Sequence, residues 1–234
     1  MPQIFKNLKS LPYLRKLFFF FVCILNQNKK SIIGSSNKIH IDTQGTFPKL
    51  KNVVIKIYGN ENNIIIKQGV KLLNSKIEIH GSCHQLIIED YCHIQGSYLW
   101  MEDNDGLLKI GRGTSFEKEV KICVTEANSQ INIGENCMLA YGIVIRSGDS
   151  HSIIDLESNQ RINYAENINI NNHVWIGTNA QVLKGSNIGS NSIIAAGAIV
   201  TKNIPENCIA AGVPAKVKKE KVTWVREKII RTLN

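Results

Sequence analysis

Aliphatic residues recur at every sixth position through the second half of the chain. From Ile170 the series runs Ile170, Ile176, Val182, Ile188, Ile194 and Val200 without a missed step. Four positions after each of the first five stands a second small or aliphatic residue: Val174, Ala180, Ser186, Ser192 and Ala198. A helix repeats every 3.6 residues and a strand every 2, and neither keeps that register alone. A short strand followed by a corner does, so the spacing predicts an all-β solenoid, a parallel β-helix wound from hexapeptides.

The same spacing extends upstream in triples, each reading as one three-sided coil: Ile88, Ile94, Trp100; Ile110, Phe116, Ile122; and Ile133, Leu139, Ile145. Successive triples start 22 and 23 residues apart, more than three sides of six require. The surplus falls around Glu102–Gly106 and around Thr125–Ser129, both rich in turn formers. These protrusions are expected to stack along one corner. Ile66 and Leu72 suggest an earlier coil and Ile55 and Ile57 an opening strand; before about residue 52 the pattern shows no register.

One coil cannot bury its inner face, and an open end exposes strand edges, so a solenoid needs covers. Residues 10–26 include the apolar run 17–25 and are expected to form an N-terminal helical cap. Beyond residue 212, Val222, Val225, Ile229 and Leu233 recur at helical spacing, which predicts a C-terminal capping helix over 219–232. The expected organisation is a capping segment over 1–30, a β-helix domain over 31–212 and a cap over 213–234.

The lattice breaks once. Six residues beyond Ile145 stands His151, and an unpartnered imidazole inside an aliphatic prism would be costly. Residues 152–167 keep no hexapeptide register, and Ile170 resumes one residue out of phase. His151 is therefore expected at the mouth of a polar loop, and unstructured loops of this length are often functional. A base near neutrality at such a place suits proton transfer. His80 and His84 have an H-x-x-x-H spacing but no third ligand nearby, so no metal site is expected. His93 reads as a corner residue, and His173 as a corner or subunit-contact residue.

Charge sharpens the picture. The net charge is +9, yet residues 1–40 carry +7, residues 213–234 carry +5 and the remainder −3. A basic charge confined to the ends argues against an extended nucleic-acid surface and suits a membrane face, a polyanion or the phosphates of a cofactor, or simply solvated termini. The run 17–25 follows four basic residues, as a signal peptide would, but no small-residue cleavage site follows it and nine residues are too few to span a bilayer. A cap or an interfacial membrane contact remain the two readings of it. The six cysteines include no C-x-x-C, and Cys92 and Cys137 occupy small core positions, which points to a reducing compartment, the cytoplasm or its membrane face.

Several segments together resemble the hexapeptide-repeat O-acetyltransferases, most closely those of capsular and surface polysaccharides, including the polysialic acid type. They are Gly148-Asp149-Ser150-His151-Ser152-Ile153, His173-Val174-Trp175-Ile176-Gly177, Leu183-Lys184-Gly185, Ile194 to Lys202, and Ala211-Gly212-Val213-Pro214-Ala215-Lys216. The usual IGAGS turn here reads Ile194-Ala195-Ala196-Gly197-Ala198, and the basic N-terminus has no counterpart in the smallest members. The resemblance implies a left-handed β-helix and a homotrimer with acetyl-CoA bound between neighbouring prisms. It maps His151 onto the catalytic base and Trp175 onto the thioester site. It maps Ala195, Ala196 and Thr201 onto the pantetheine track, and Lys202 and Lys216 onto the CoA phosphates.

A sugar hydroxyl is a weak nucleophile, so a base must take its proton as it attacks the thioester, which is the work expected of His151. Asp149 is a candidate to orient the imidazole or to contact the acceptor, and equally a turn residue. Arg161 is expected to help the loop shape an acceptor site. The expected reaction is O-acetylation of a carbohydrate. The alternatives are N-acetylation of an amino sugar, disfavoured by the lack of an N-terminal nucleotide-binding unit or G-x-G-x-x-G, and a non-catalytic scaffold of a glycan-synthesis complex.

Overall fold

A computed structural model of the chain describes residues 27–230. These form a prism of three sheets, here A, B and C, with eight, seven and nine strands. The chain visits A, B and C in turn, so the strands pair in parallel with those one coil away, the terminal strand excepted. Side chains alternate along every strand, and the inward ones form one continuous core from Leu50 to Ala210. All the hexapeptide positions from Ile170 to Val200 are buried, as are Val174, Ala180, Ser186, Ser192 and Ala198. Each buried Ile or Leu contributes about 1.5–3 kcal/mol of transfer free energy, which is why the period is kept so strictly.

The winding begins earlier than the sequence pattern reveals. Strands Lys29–Ile33, Lys38–Ile41 and Lys49–Lys51 form a further coil whose first two members stay largely exposed, hiding its period. In the coil after it, Ile66 and Leu72 are buried as expected, and Ile55 and Ile57 precede them. One position requires correction. Trp100 faces outward, and Leu99 and Met101 fill the core instead. The C-to-A corner is one residue shorter in this coil, turning at Gly96 with φ 55°, so the inward step is five rather than six.

From Glu102 onward the surplus residues gather at the A-to-B corner. Glu102–Gly106, Thr125–Ser129 and the long loop all leave a sheet A strand there and enter a sheet B strand. Gly34, Gly59 and Gly81 stack at this corner with φ near 126°, 146° and 123°, and a Cβ on any of them would overlap the next coil's backbone. Below them runs a polar ladder. Asn62 Oδ1 accepts from His84 N–H at 3.0 Å, and His84 Nδ1 accepts from Gly106 N–H at 3.1 Å. His84 Nε2 lies 3.1 Å from the Asp103 carbonyl, to which it donates. The fully buried His84 is therefore a neutral structural link, and burial lowers its pKa.

The C-terminal helix expected over 219–232 does not form: a strand ends at Glu220, and 221–230 run without regular structure. Lys216–Glu220 pairs antiparallel with Cys208–Ala211, and no helix occurs among the described residues. The last coil leaves a row of unpaired backbone groups, and the chain satisfies them with a lysine-rich edge strand that further strands would find hard to join. The N-terminal cap expected over 10–26 lies outside the described residues.

Candidate active site

The long loop leaves sheet A after Val144–Arg146 and enters sheet B at Ile168–Ile170. Its take-off is cramped: a Cβ on the buried Gly148 would lie 2.7 Å from Thr125 Oγ1 and 3.1 Å from Ala165 Cβ. Beyond it the loop doubles back, with an antiparallel bridge between Ile154 and Arg161 and a bond from Ile162 N–H to Ile153 O at 2.9 Å. His151 stands at the neck, exposed. Among the described residues nothing hydrogen-bonds its ring.

What holds the neck is the amide of Asn163, which is almost completely buried. Its Oδ1 accepts from Ile153 N–H at 2.7 Å and from Arg161 Nε at 3.2 Å. Its Nδ2 donates to the His151 carbonyl at 2.7 Å and to Asp149 Oδ2 at 2.9 Å. Lys184, from the next coil, donates to Asp149 Oδ2 at 2.6 Å and to Asn163 O at 3.0 Å. The Lys184 bond holds the Asp149 carboxyl below its usual range. Arg161 pairs with Glu126 of the preceding coil, and Arg146 donates to Gly148 O at 2.5 Å and to Ser150 Oγ. Asp149 and Arg161 thus spend their side chains on the loop's own neck; Asp149 does not touch the His151 ring. Asn163 and Lys184 carry the His151 segment. Leu183-Lys184-Gly185 was visible as a motif, whereas nothing in the sequence pattern marks Asn163.

Trp175 stands elsewhere. It lies on the outer face of sheet C, in the column Ser115, Met138, Trp175, Ile193, Ile209, and is 37% exposed. Ala195 and Ala196 form the next C-to-A corner on the same side, and Gly197 there has open space around the position of a Cβ. Lys216 opens the terminal strand of sheet C and is exposed. Thr201 and Lys202 instead follow a sheet A strand, on the same corner as His151. The expected site residues therefore fall into two groups on one prism. The A-to-B corner holds His151, Asp149, Arg161, Thr201 and Lys202; sheet C and its corner hold Trp175, Ala195, Ala196 and Lys216.

The histidine pair fits no metal centre, since His84 is locked in the corner ladder and His80 is stacked between Tyr58 and Trp100 at 4.7 and 4.6 Å. Among the described residues no cluster of three or more His, Cys, Asp or Glu could hold a metal ion. His173 is a corner residue with φ 57°. Burial pushes the thiols of Cys92 and Cys137 up to about 12 and about 11, the behaviour of core cysteines.

Residues 167–202 match the family described as bacterial transferase hexapeptide (six repeats). The chain is 34% identical over 152 residues to a polysialic acid O-acetyltransferase of Neisseria meningitidis, covering 65% of this chain and 68% of that protein. It is 37% identical over 117 residues to the polysialic acid O-acetyltransferase of Escherichia coli O1:K1 / APEC, a match spanning 50% of this chain but only 38% of that protein. The crystal structure of the polysialic acid O-acetyltransferase OatWY superposes with a TM-score of 0.80 at 32% identity, covering 88% of this chain and 94% of that one. The polySia-specific acetyltransferase NeuO gives 0.76 at 29% identity, with 88% and 85% covered.

Proposed function

The chain belongs to the hexapeptide-repeat acyltransferases, alongside the polysialic acid O-acetyltransferases, and on that premise we propose that it moves an acetyl group from acetyl-CoA to a sugar hydroxyl of a capsular or surface polysaccharide, or of its repeat unit. The observation that carries this reading is the pair of half-sites on separate parts of one prism. Each lacks what the other has: a base without a thioester cradle, and a cradle without a base. A second copy, set so that its A-to-B corner meets the first copy's sheet C, completes one site and leaves a base and a cradle for a third. Three such contacts close a ring, so the working form is a homotrimer of left-handed prisms.

The cradle fits the donor. Trp175 offers an exposed ring, the turn at Ala195-Ala196-Gly197 exposes backbone with no bulky side chain in front of it, and Lys216 offers a cation at the far end. In this arrangement Trp175 lines the acyl end, Ala195 and Ala196 the pantetheine, and Lys216 the phosphates. Lys202 and Thr201 approach from the neighbouring prism. Acetyl-CoA supplies the activated thioester. His151 takes the proton of the attacking hydroxyl, and the same imidazolium returns it to the departing CoA thiolate. An N–H beside Trp175 steadies the oxyanion. Asn163 and Lys184 keep the His151 segment in place. The free thiols at Cys83, Cys92, Cys123, Cys137 and Cys208 suit a reducing, cytoplasmic setting.

The test is His151→Ala. Transfer of labelled acetyl to a sialic acid oligomer is expected to fall at least 100-fold, with acetyl-CoA still raising the melting temperature as in the wild type. Wild-type transfer rates from the variant would end this reading.

A further inference from the structure

After strand Lys216–Glu220 the chain turns back across the outer face of sheet C. Val222 N–H donates to Asn207 O at 3.0 Å. Trp224 is buried; its Nε1–H donates to the His173 carbonyl at 2.8 Å, and its ring stacks on His173 at 4.3 Å with an interplanar angle of 6°. The Trp175 ring lies 6.1 Å from it. Two residues on, Arg226 donates to Ser115 Oγ at 2.9 Å and to Cys137 O at 3.1 Å, contacts that span 111 and 89 residues of sequence. A tail with few apolar anchors would gain little from lying here unless the contacts were specific, and they are.

The strap builds one wall of a depression of about 550 Å³, lined also by His93, Gln95, Ser115, Lys118 and Tyr141. Its place follows from the register of sheet C. Ser115, Met138 and Trp175 are successive members of one outward column, and Lys216 lies beyond Trp175 in the opposite direction. A donor running from Lys216 to an acyl end at Trp175 therefore points its acetyl group toward this depression. The lining carries two cations, Arg226 and Lys118, and its Tyr141 hydroxyl is bonded to Glu119. Neither Arg226 nor Lys118 forms a salt bridge among the described residues, and Glu117 is the one carboxylate on the lining. Both acceptors that Arg226 now uses are neutral, which leaves guanidinium donors for a ligand.

We propose that this depression is the acceptor subsite, and that the C-terminal strap places Arg226 there to bind the carboxylate of an acidic sugar. The inference rests on the acetyl-transfer reading for the direction of the donor. Arg226 is a specificity residue: it holds the acceptor and takes no part in proton transfer. Gln95 and Ser115 supply polar partners for the sugar's hydroxyls around it.

The experiment compares a sialic acid oligomer with the same oligomer converted to carboxamides, in the wild type, Arg226→Gln and Arg226→Lys. The wild type is expected to favour the acid. Arg226→Gln is expected to raise KM for the acid roughly 10- to 100-fold, the span of one charge-assisted hydrogen bond, leaving kcat and the KM for acetyl-CoA within about twofold. Arg226→Lys keeps the charge without the fork and recovers part of the preference. Lys118→Gln is the second variant should Arg226→Gln loosen the strap, and it lowers the same preference. A wild type indifferent to the carboxylate, or an Arg226→Gln enzyme that keeps the preference, overturns the inference. If His151→Ala abolishes transfer while Arg226→Gln keeps the preference, the subsite alone fails; if His151→Ala transfers normally, the acetyl-transfer reading fails first.

Discussion

Replacing Asn163 by alanine tests whether the loop's neck, rather than the prism, positions the His151 imidazole proposed as the base. The amide uses its full capacity, two donors and two acceptors, and all four bonds stay within the loop neck. Neutral bonds contribute about 0.5–1.5 kcal/mol each and those to charged groups about 1.5–3. Two of the four involve charges, Asp149 and Arg161, so their sum is about 4–9 kcal/mol if every bond is lost outright. Water will replace part of this at so exposed a loop, and we expect a local destabilisation of about 2–4 kcal/mol. The coils on either side are held by their own cores, so global unfolding should hardly notice. Chemistry should, because a displacement of the base by about 1 Å can cost 100-fold in rate. Asn163→Ala is therefore expected to lower kcat about 10- to 100-fold with the KM for acetyl-CoA unchanged, read by steady-state transfer of labelled acetyl. Thermal unfolding should move by less than about 2 °C on the same reasoning. An unchanged kcat, or a fall in kcat matched by collapse of the melting temperature, would refute the separation of neck from prism.

Two further outcomes concern the prism and the donor. Burial lowers the pKa of His84 below the ordinary 6.5, so the unfolded chain binds a proton that the folded one refuses. Its stabilisation is complete above pH 6.5 and is lost as the pH falls from there toward the folded value; denaturant titrations should show a shallower acid slope in His84→Asn than in the wild type, and identical slopes would exclude the neutral link. Lys216→Glu should weaken CoA more than dephospho-CoA in competition assays, by roughly tenfold, and equal weakening would remove Lys216 from the phosphate end.

Much of this was legible in the chain and some of it could not be. The hexapeptide register from Ile170 to Val200 announces itself because every inward position there is sealed, admitting only aliphatic or small side chains, with Ser186 and Ser192 bonding their hydroxyls to backbone carbonyls. Trp100 misled the count because a corner one residue shorter satisfies the same backbone, and a period carries no record of corner length. The first coil escaped notice because its strands are mostly exposed, so burial imposes no pattern. Val222, Val225 and Ile229 match helical spacing, yet they follow the terminal strand Lys216–Glu220 in a segment without regular structure, whose course is set by Trp224 on His173 and Arg226 on Ser115 and Cys137.

The residue order alone, then, settled the solenoid, the stacked corner and the break at His151, since each follows from local spacing against a dry core. Only the folded chain decided that His151 stands at a corner and Trp175 on the outer face of sheet C, that Asn163 carries the loop, and that Arg226 returns to Ser115. Those facts depend on contacts outside the repeat, from the Asn163 bonds within one loop to Arg226 on Ser115 111 residues away, and hydrophobic periodicity reports which side of a strand faces inward but not what its outer side will meet.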